Sequence, residues 1–477
     1  MTHTLDPRRP IHFVGIGGAG MSALAEILMA RGFRVSGSDI RNSNSINTLR
    51  RAGARITLQQ DARTVQSLRK DAPLPPLAVI SSAIQEDNPE LVAIREAGDA
   101  GDMDVIHRSD LLADLLASHP RPVVVAGSHG KTTTSTILST ILAAVGLDPT
   151  VVIGGVVPWL GSNGRHGGGD VAVAEADESD GTLVKFRPRI GVITNLELDH
   201  TDHYTDISHL LDTMAEFGRN CQTLLTNGDC PVLSRHLPGT RQWSLDGTSS
   251  AYYRFSGIRC LGHATEAVVH AGAECLGPVV FPLTGLHNLA NLAAALAAAL
   301  ELGIPFSALQ KPCQAIRAPD RRFQFHSVVD ERLLVDDYAH HPSEVAATLV
   351  MARAMVGNDK SALPLTPQRL VVAFQPHRYS RTRDFLQEFA LALTAADEVL
   401  LLPVYSAGEK SIAGISHIAL SEAIAAIGGT AHCFDSLEHL AQGFHSATRP
   451  GDLVLAMGAG SINRLPGLVR SAVPMAA

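Results

Sequence analysis

Short apolar runs alternate with amphipathic stretches along most of the chain, and each run ends in glycine, proline or clustered polar residues. IHFVGI (Ile11–Ile16), FRVSGSD (Phe33–Asp39) and LAVISSAI (Leu77–Ile84) read as buried strands, with a helical pattern from Met21 to Arg31 after the first. A second series follows in VVVAG (Val123–Gly127), VAVAEAD (Val171–Asp177) and IGVITNL (Ile190–Leu196), and a third in RLLVDDY (Arg332–Tyr338), RLVVAFQ (Arg369–Gln375), EVLLLPVY (Glu398–Tyr405) and DLVLAMG (Asp452–Gly458). Between roughly 231 and 282, AYYRF and VVFPLTG read as small strands inserted at one edge; Asn288–Gly303, rich in alanine and leucine and closed by glycine, reads as a helix. DAPLPPL (Asp71–Leu77) and Met355–Gln368 read as surface loops.

Strand–helix alternation in three blocks predicts an α/β protein of three domains: 1–118, Rossmann-like; 119–316, a central domain with the small β insertion; and 317–477, again Rossmann-like with a parallel sheet. VVVAGSHGKTTT (Val123–Thr134) carries the sharpest chemistry. An apolar strand breaks into a glycine turn bearing Lys131 and opens a helix at Thr132, an order suited to a triphosphate: backbone N–H groups face the phosphates, the ammonium adds charge and a threonine hydroxyl reaches Mg²⁺. The central domain is accordingly P-loop ATPase-like, although only two residues separate Gly127 from Gly130 and Val125 stands where the usual first glycine would fall.

GIGGAGMS (Gly15–Ser22) holds GxGxxG between a strand and a helix, with Asp39 closing the next strand. By mechanics alone this suits a dinucleotide, with Asp39 on a ribose hydroxyl, so an NAD(P)-dependent oxidoreductase is one reading. Ser81 and Ser82 end a strand where such sheets present ligand contacts. EADESDGT (Glu175–Thr182) and TNLELDHTD (Thr194–Asp202) place acids and His200 at strand ends; they read either as Mg²⁺ ligands or as solvated acidic loops.

The composition, 45% hydrophobic and 18% charged, is that of a globular chain, and no uninterrupted apolar stretch approaches the roughly 18 residues of a membrane span. The early glycines argue against a secretory signal, so the expected address is cytoplasmic. Six cysteines without CxxC or zinc spacing read as reduced thiols, and a net charge of -8 gives no footprint for nucleic acid.

The GxHGKTT variant after a strand resembles the Mur ligases, the ATP-dependent amino-acid ligases of peptidoglycan precursor synthesis. The resemblance extends over nearly the whole chain through GGxGMS, HNLAN (His287–Asn291), DDYxHHP and HRYSRT. It implies that Gly17, Gly18, Ala19, Gly20, Met21 and Ser22, with Asp39, Ser81 and Ser82, bind a UDP-sugar, UDP-N-acetylmuramate. It implies that ATP is held by Gly127, Ser128, His129, Gly130, Lys131, Thr132 and Thr133, by His287, Asn288 and Asn291, by Arg322 (Arg321 being the neighbouring alternative) closing from the hinge, and by Asp337, with Asp336 as the alternative by register. Thr132, Glu175 and His200 would hold Mg²⁺, and Lys131, His200 and Arg322 would be catalytic.

Related ligases add a carbamylated lysine beyond the histidine, but here no lysine lies between Lys185 and Lys311, which leaves water and acids, or a weaker second metal site. Tyr338, His340, His377, Arg378 and Arg381 would surround the amino acid and acyl group, guanidinium forks suiting carboxylates. HRYSRT points to the alanine-adding branch, with L-alanine as the amino acid, rather than to the branch that joins intact peptides. The implied reaction passes through an acyl phosphate. Convergent cations answer a repulsion of about 4 kcal/mol per unit-charge pair at 4 Å. The chain is expected as a monomer or homodimer.

Overall fold

The computed structural model describes residues 6–69, 74–201, 203–237 and 239–472. The first sheet is wholly parallel, in the order Arg55–Thr57, Val35–Ser38, Ile11–Val14, Leu77–Ile80, Asp104–His107. The chain reverses direction across the sheet between Ile11–Val14 and Leu77–Ile80, so the crevice beyond their carboxyl ends is the ligand-binding position of a doubly wound sheet. Gly15 and Ser81 begin the segments that leave those two ends.

The second sheet has ten strands: Glu274–Phe281, Ala264–Ala271, Tyr253–Leu261, Arg241–Ser244, Thr223–Asn227, Ile190–Ile193, Arg121–Ala126, Val171–Glu175, Thr150–Val157 and Ser162–Arg165, in spatial order. Arg121–Ala126 lies between two parallel neighbours, and its five C-terminal residues are buried, as a strand covered on both faces requires. The third sheet runs Gln324–Val329, Arg332–Asp337, Asp452–Met457, Arg369–Phe374, Glu398–Leu401, Ala431–Cys433. Its faces are covered by two apolar clusters, one around Val335, Phe374 and Phe389, the other around Leu334, Leu400 and Phe444. All its pairings are parallel except the edge strand Gln324–Val329, which is antiparallel. That strand, QFHSVV, is only partly buried and lacks the apolar run that marks the others.

The described residues divide into two compact units. One comprises the chain up to 255 with 269–277 and 290–319, and contains the first sheet and most of the second. The other comprises 256–268, 278–289 and 320 onward. The alanine-rich helix is Leu286–Glu301, starting slightly earlier than its composition suggests because Gly285, at φ +98°, turns the chain into it. Residues 355–368 hold turns and bends without a strand or helix, as expected, whereas residues 71–73 of the other expected loop lie outside the described residues.

Within the first unit the strand Ser162–Arg165 packs on the helix Ala19–Ala30. Asn163, 7% exposed, donates from Nδ2 to Ala19 O and to Ser22 Oγ (3.2 Å), and Ser162 donates to Glu26. A Cβ on Gly164 would fall 2.6 Å from both Cα and O of Ala23, so only glycine allows the two backbones this approach.

Candidate active site

The helix Lys131–Ala144 is rich in threonine and serine, poor intrinsic helix formers, and is held instead by burial: Thr133–Leu138 are buried without a break. Its first turn has neither a side-chain cap nor an acidic residue, and the same is true of Ala19–Ala30 after the front glycine turn. Four other helices of the unit are capped, Asn44–Arg51 by Ser43, Pro89–Asp99 by Asn88, Arg108–Ala117 by His107 and Ile207–Asn220 by Asp206. The two helices that follow glycine turns thus keep positive ends and unpaired N–H groups for an anion.

The phosphate turn is braced from behind. Thr194 Oγ1 donates to His129 O at 2.6 Å, Asn195 exchanges bonds with His129 N and O (2.9 and 3.0 Å), and Ser128 Oγ donates to Glu197 O at 2.9 Å. Gly130 is left-handed at φ +81°, and a Cβ there would collide with Asn291 Oδ1. Asn291, one of the residues expected to hold ATP, is 8% exposed and accepts from Thr134 Oγ1 at 3.2 Å, a bond that supports the turn. Thr133 is buried, so its side chain faces the core.

Lys131 Nζ donates to Gly127 O (2.6 Å), Ser128 O (3.2 Å) and Glu178 (2.8 Å). Glu178 is 3% exposed; burial pushes its carboxyl up to about 7 against the pull of Lys131, while Asp177 raises it further. Burial lowers the Lys131 ammonium, yet Glu178 and Glu175 outweigh this and hold it above its ordinary value. Thr132 Oγ1 lies 3.0 Å from both oxygens of Glu175, which also accepts from Gly154 N at 2.8 Å. Adjacent hydroxyl and carboxylate oxygens are a hard-cation donor set, so Thr132 and Glu175 fit Mg²⁺. His200, at φ +53°, points Nε2 toward Glu178 Oε1 at 3.8 Å and Asp199 Oδ2 at 3.9 Å, with Tyr204 OH fixing Glu178 O at 2.6 Å.

At the front turn Asp39 accepts from Gly17 N (2.9 Å) and Arg41 N (3.0 Å), so its carboxylate shapes the glycine turn itself. Gly18 and Ala19 are exposed, whereas Met21 and Ser22 turn inward. Ser82 Oγ donates to Asp180 Oδ2 at 2.8 Å, and Arg108, beside Gly20, donates to Asp177 at 2.7 Å. Burial raises the Asp177 carboxyl, but Arg108 and the Ser179 side chain outweigh it and hold it well below the usual carboxylate range. Arg108 and Glu178 are absent from the sequence expectations: the one follows a strand with no glycine signature, and the other is one acid among several.

In the second unit Arg321 and Arg322 stack over Tyr338 at 4.7 and 5.3 Å. Asp337, 5% exposed, accepts from Phe323 N (2.7 Å) and Ala339 N (2.8 Å); burial pushes its carboxyl up to about 6 against Arg322 and these bonds. Asp336 pairs with Arg321 at 3.3 Å. His340 bonds Tyr338 O at 2.9 Å and lies 3.2 Å from Glu344, and burial lowers its imidazole to about 3. The His340 ring meets His377 edge-on at 5.8 Å, His377 stacks on Tyr405, and Arg381 lies 3.3 Å from His377 Nδ1. Arg378, at φ +70°, donates N–H to Tyr405 O at 2.8 Å and sits 4.0 Å from Glu409. His287 is lowered to about 4 by burial and by Arg322, and Asn288 Nδ2 donates to Thr284 O at 2.9 Å. Tyr338, His340, His377 and Arg381 therefore form one connected cluster, with Arg322 beside it.

Three α/β sheets, with an uncapped phosphate turn and an adjacent acidic loop in the second, define an α/β protein built to hold a nucleotide phosphate group. Residues 10–120 match the Mur ligase family catalytic domain, 125–299 the Mur ligase middle domain and 321–460 the Mur ligase glutamate ligase domain. The chain belongs to the Mur ligase family. It is 49% identical over 463 residues to the UDP-N-acetylmuramate–L-alanine ligase of Synechococcus sp. (strain RCC307), covering 97% of this chain and 95% of that one. It is 50% identical over 470 residues to the enzyme of the same name from Prochlorococcus marinus (strain MIT 9303), covering 98% and 95%. The crystal structure of UDP-N-acetylmuramate-alanine ligase from Thermotoga maritima superposes with a TM-score of 0.79 at 25% identity, covering 97% of this chain and 98% of that one. Among the described residues no helix is long and apolar enough to cross a membrane.

Proposed function

We propose that the chain uses ATP and Mg²⁺ to join L-alanine to the lactyl carboxylate of UDP-N-acetylmuramate in the cytoplasm. The observation that carries this reading is the loop 177–180, which touches Lys131 of the phosphate turn through Glu178 and the front turn's neighbours Arg108 and Ser82 through Asp177 and Asp180. A carboxylate substrate and a triphosphate brought to the two ends of one loop are the reactants a ligase needs. The names borne by relatives of about 50% identity over nearly the full length support alanine and the muramyl nucleotide as substrates.

In this reading a carboxylate oxygen attacks the γ-phosphorus and ADP leaves; the alanine amine, having lost a proton, then attacks the acyl carbon and phosphate leaves. Mg²⁺ held by Thr132 and Glu175, with His200 nearby, supplies neutralisation of phosphate charge. Lys131 brings a fixed positive charge to the transferred group, and the N–H groups of Gly130 to Thr132 orient it, so positioning and electrostatics carry the catalysis. Arg381 and Arg378 offer guanidinium forks for the amino acid's carboxylate. His340 is kept neutral by burial, so it can accept a hydrogen bond from the incoming amine.

The test supplies ATP, Mg²⁺ and UDP-N-acetylmuramate with a panel of amino acids and follows phosphate release and product mass. Alanine-dependent release with the matching mass gain is expected. Release only with an intact peptide, or NAD(P)H turnover without ATP, would overturn the assignment.

A further inference from the structure

An ammonium has three N–H donors, and Lys131 commits all three within the protein: to Gly127 O, Ser128 O and Glu178. Two of these acceptors are backbone carbonyls of the turn itself. The third is a carboxylate side chain on a neighbouring loop. A phosphate oxygen can gain a full hydrogen bond from Nζ only by taking one of these places, and the anion it repels and replaces is Glu178. Both Glu178 oxygens lie 2.8 Å from Nζ.

The residues flanking Glu178 face the front sheet. Asp177 accepts from Arg108 at 2.7 Å, and Asp180 accepts from Ser82 at 2.8 Å with Arg108 and His107 both 3.8 Å away. Arg108 and Ser82 stand where an anionic ligand of the first sheet would be received, so that ligand competes with Asp177 and Asp180 for the same donors. Three consecutive contacts of one loop are thus each a carboxylate occupying a donor that a substrate anion needs.

We propose that Asp177, Glu178 and Asp180 are positioning residues that couple the two nucleotide sites: an anion captured by Arg108 and Ser82 releases the loop, and Glu178 then yields Lys131 to the triphosphate. This rests on the reading that UDP-N-acetylmuramate and ATP bind at the two glycine turns. Because each ligand relieves the constraint the other meets, the coupling is positive and, by linkage, reciprocal.

Calorimetric titration of the full chain with a non-hydrolysable ATP analogue and Mg²⁺, with and without saturating UDP-N-acetylmuramate, measures the coupling. The wild type is expected to bind the analogue at least about fivefold more tightly with the sugar nucleotide present. Glu178→Gln is expected to bind the analogue more tightly than the wild type when alone, and to lose most of the coupling. Asp177→Asn keeps both binding events and lowers the coupling factor toward one, with unchanged circular dichroism confirming the fold. Two results overturn the proposal while leaving the assigned substrates intact: both ligands bind but the coupling is the same in the variants, or Glu178→Gln weakens the analogue. Failure of the wild type to bind UDP-N-acetylmuramate at all overturns the substrate reading and the coupling with it.

Discussion

Replacing Lys131 by methionine keeps most of the side chain's bulk and removes its charge, and the structure makes this a test of stability as well as of catalysis. Glu178, 3% exposed, would lose its only cationic hydrogen-bond partner among the described contacts. Breaking a buried pair from one side costs about 3–5 kcal/mol. The carboxylate can escape by binding a proton, which at pH 7 costs about 1.4 kcal/mol for each unit above its unfolded value of about 4.3, or about 4 kcal/mol. Folding already raises Glu178 to about 7 in the wild type, and losing Lys131 raises it further. A raised folded value means that the native state binds the extra proton, so the contribution is fully present below about pH 4.3 and is lost as the pH rises. The penalty of Lys131→Met should therefore be largest above pH 7, where the wild-type carboxylate is ionised and paired, and should shrink as the pH falls and both proteins hold the proton. Urea melts followed by fluorescence read the relevant region, because both tryptophans, Trp159 and buried Trp243, lie in the same unit as the pair. Adding Glu178→Gln should restore most of the stability. Turnover should stay down roughly a thousandfold in both variants, the rate equivalent of about 4 kcal/mol lost at the phosphate. A Lys131→Met protein as stable as wild type at pH 7.5, or a double variant that regains turnover, would refute the argument.

Three further outcomes follow from the geometry. Gly130→Ala must hold alanine at φ +81° and push Asn291 aside, so it should cost at least about 1–2 kcal/mol in urea melts and weaken ATP-analogue binding in calorimetry. Asp337→Ala leaves the N–H groups of Phe323 and Ala339 without their carboxylate, a loss of about 1–3 kcal/mol for each group that water cannot reach, read by hydrogen exchange at 323 and 339. Burial holds His340 at about 3 and His287 at about 4, below an unfolded value of about 6.5. A depressed folded value gives stability that is present above 6.5 and lost as the pH falls, so each contributes about 2 kcal/mol of acid destabilisation at pH 5. His340→Gln should flatten the stability profile between pH 6.5 and 4, and an unchanged profile would show that the imidazole is hydrated.

The local geometry legible in the chain is that built from neighbours in sequence. Strand, glycine turn and helix form one continuous stretch from Arg121 to Ala144, and the DDYAHH and HRYSR segments each leave the end of a parallel strand of one sheet. What escaped is set by packing at a distance. Glu178 could not be ranked above Glu175 or Asp177 because its pairing spans 47 positions to Lys131. The support that Asn291 gives the phosphate turn spans 157 positions to Thr134, beyond the reach of any local pattern. Ser22 looked ligand-facing beside exposed Gly18, but one turn of helix rotates it into the seam with Asn163. The strand Gln324–Val329 is an edge, and edges carry little of the apolar run by which strands are recognised.

The seam at Gly164 bears on how genetic data from this protein would be interpreted. A side chain of any size there must wedge apart a hairpin and the helix that begins at the front glycine turn. A screen for altered sugar-nucleotide affinity would then recover changes at 164 and 23 alongside true contact residues, and a map drawn from such hits would inflate the apparent footprint of the ligand.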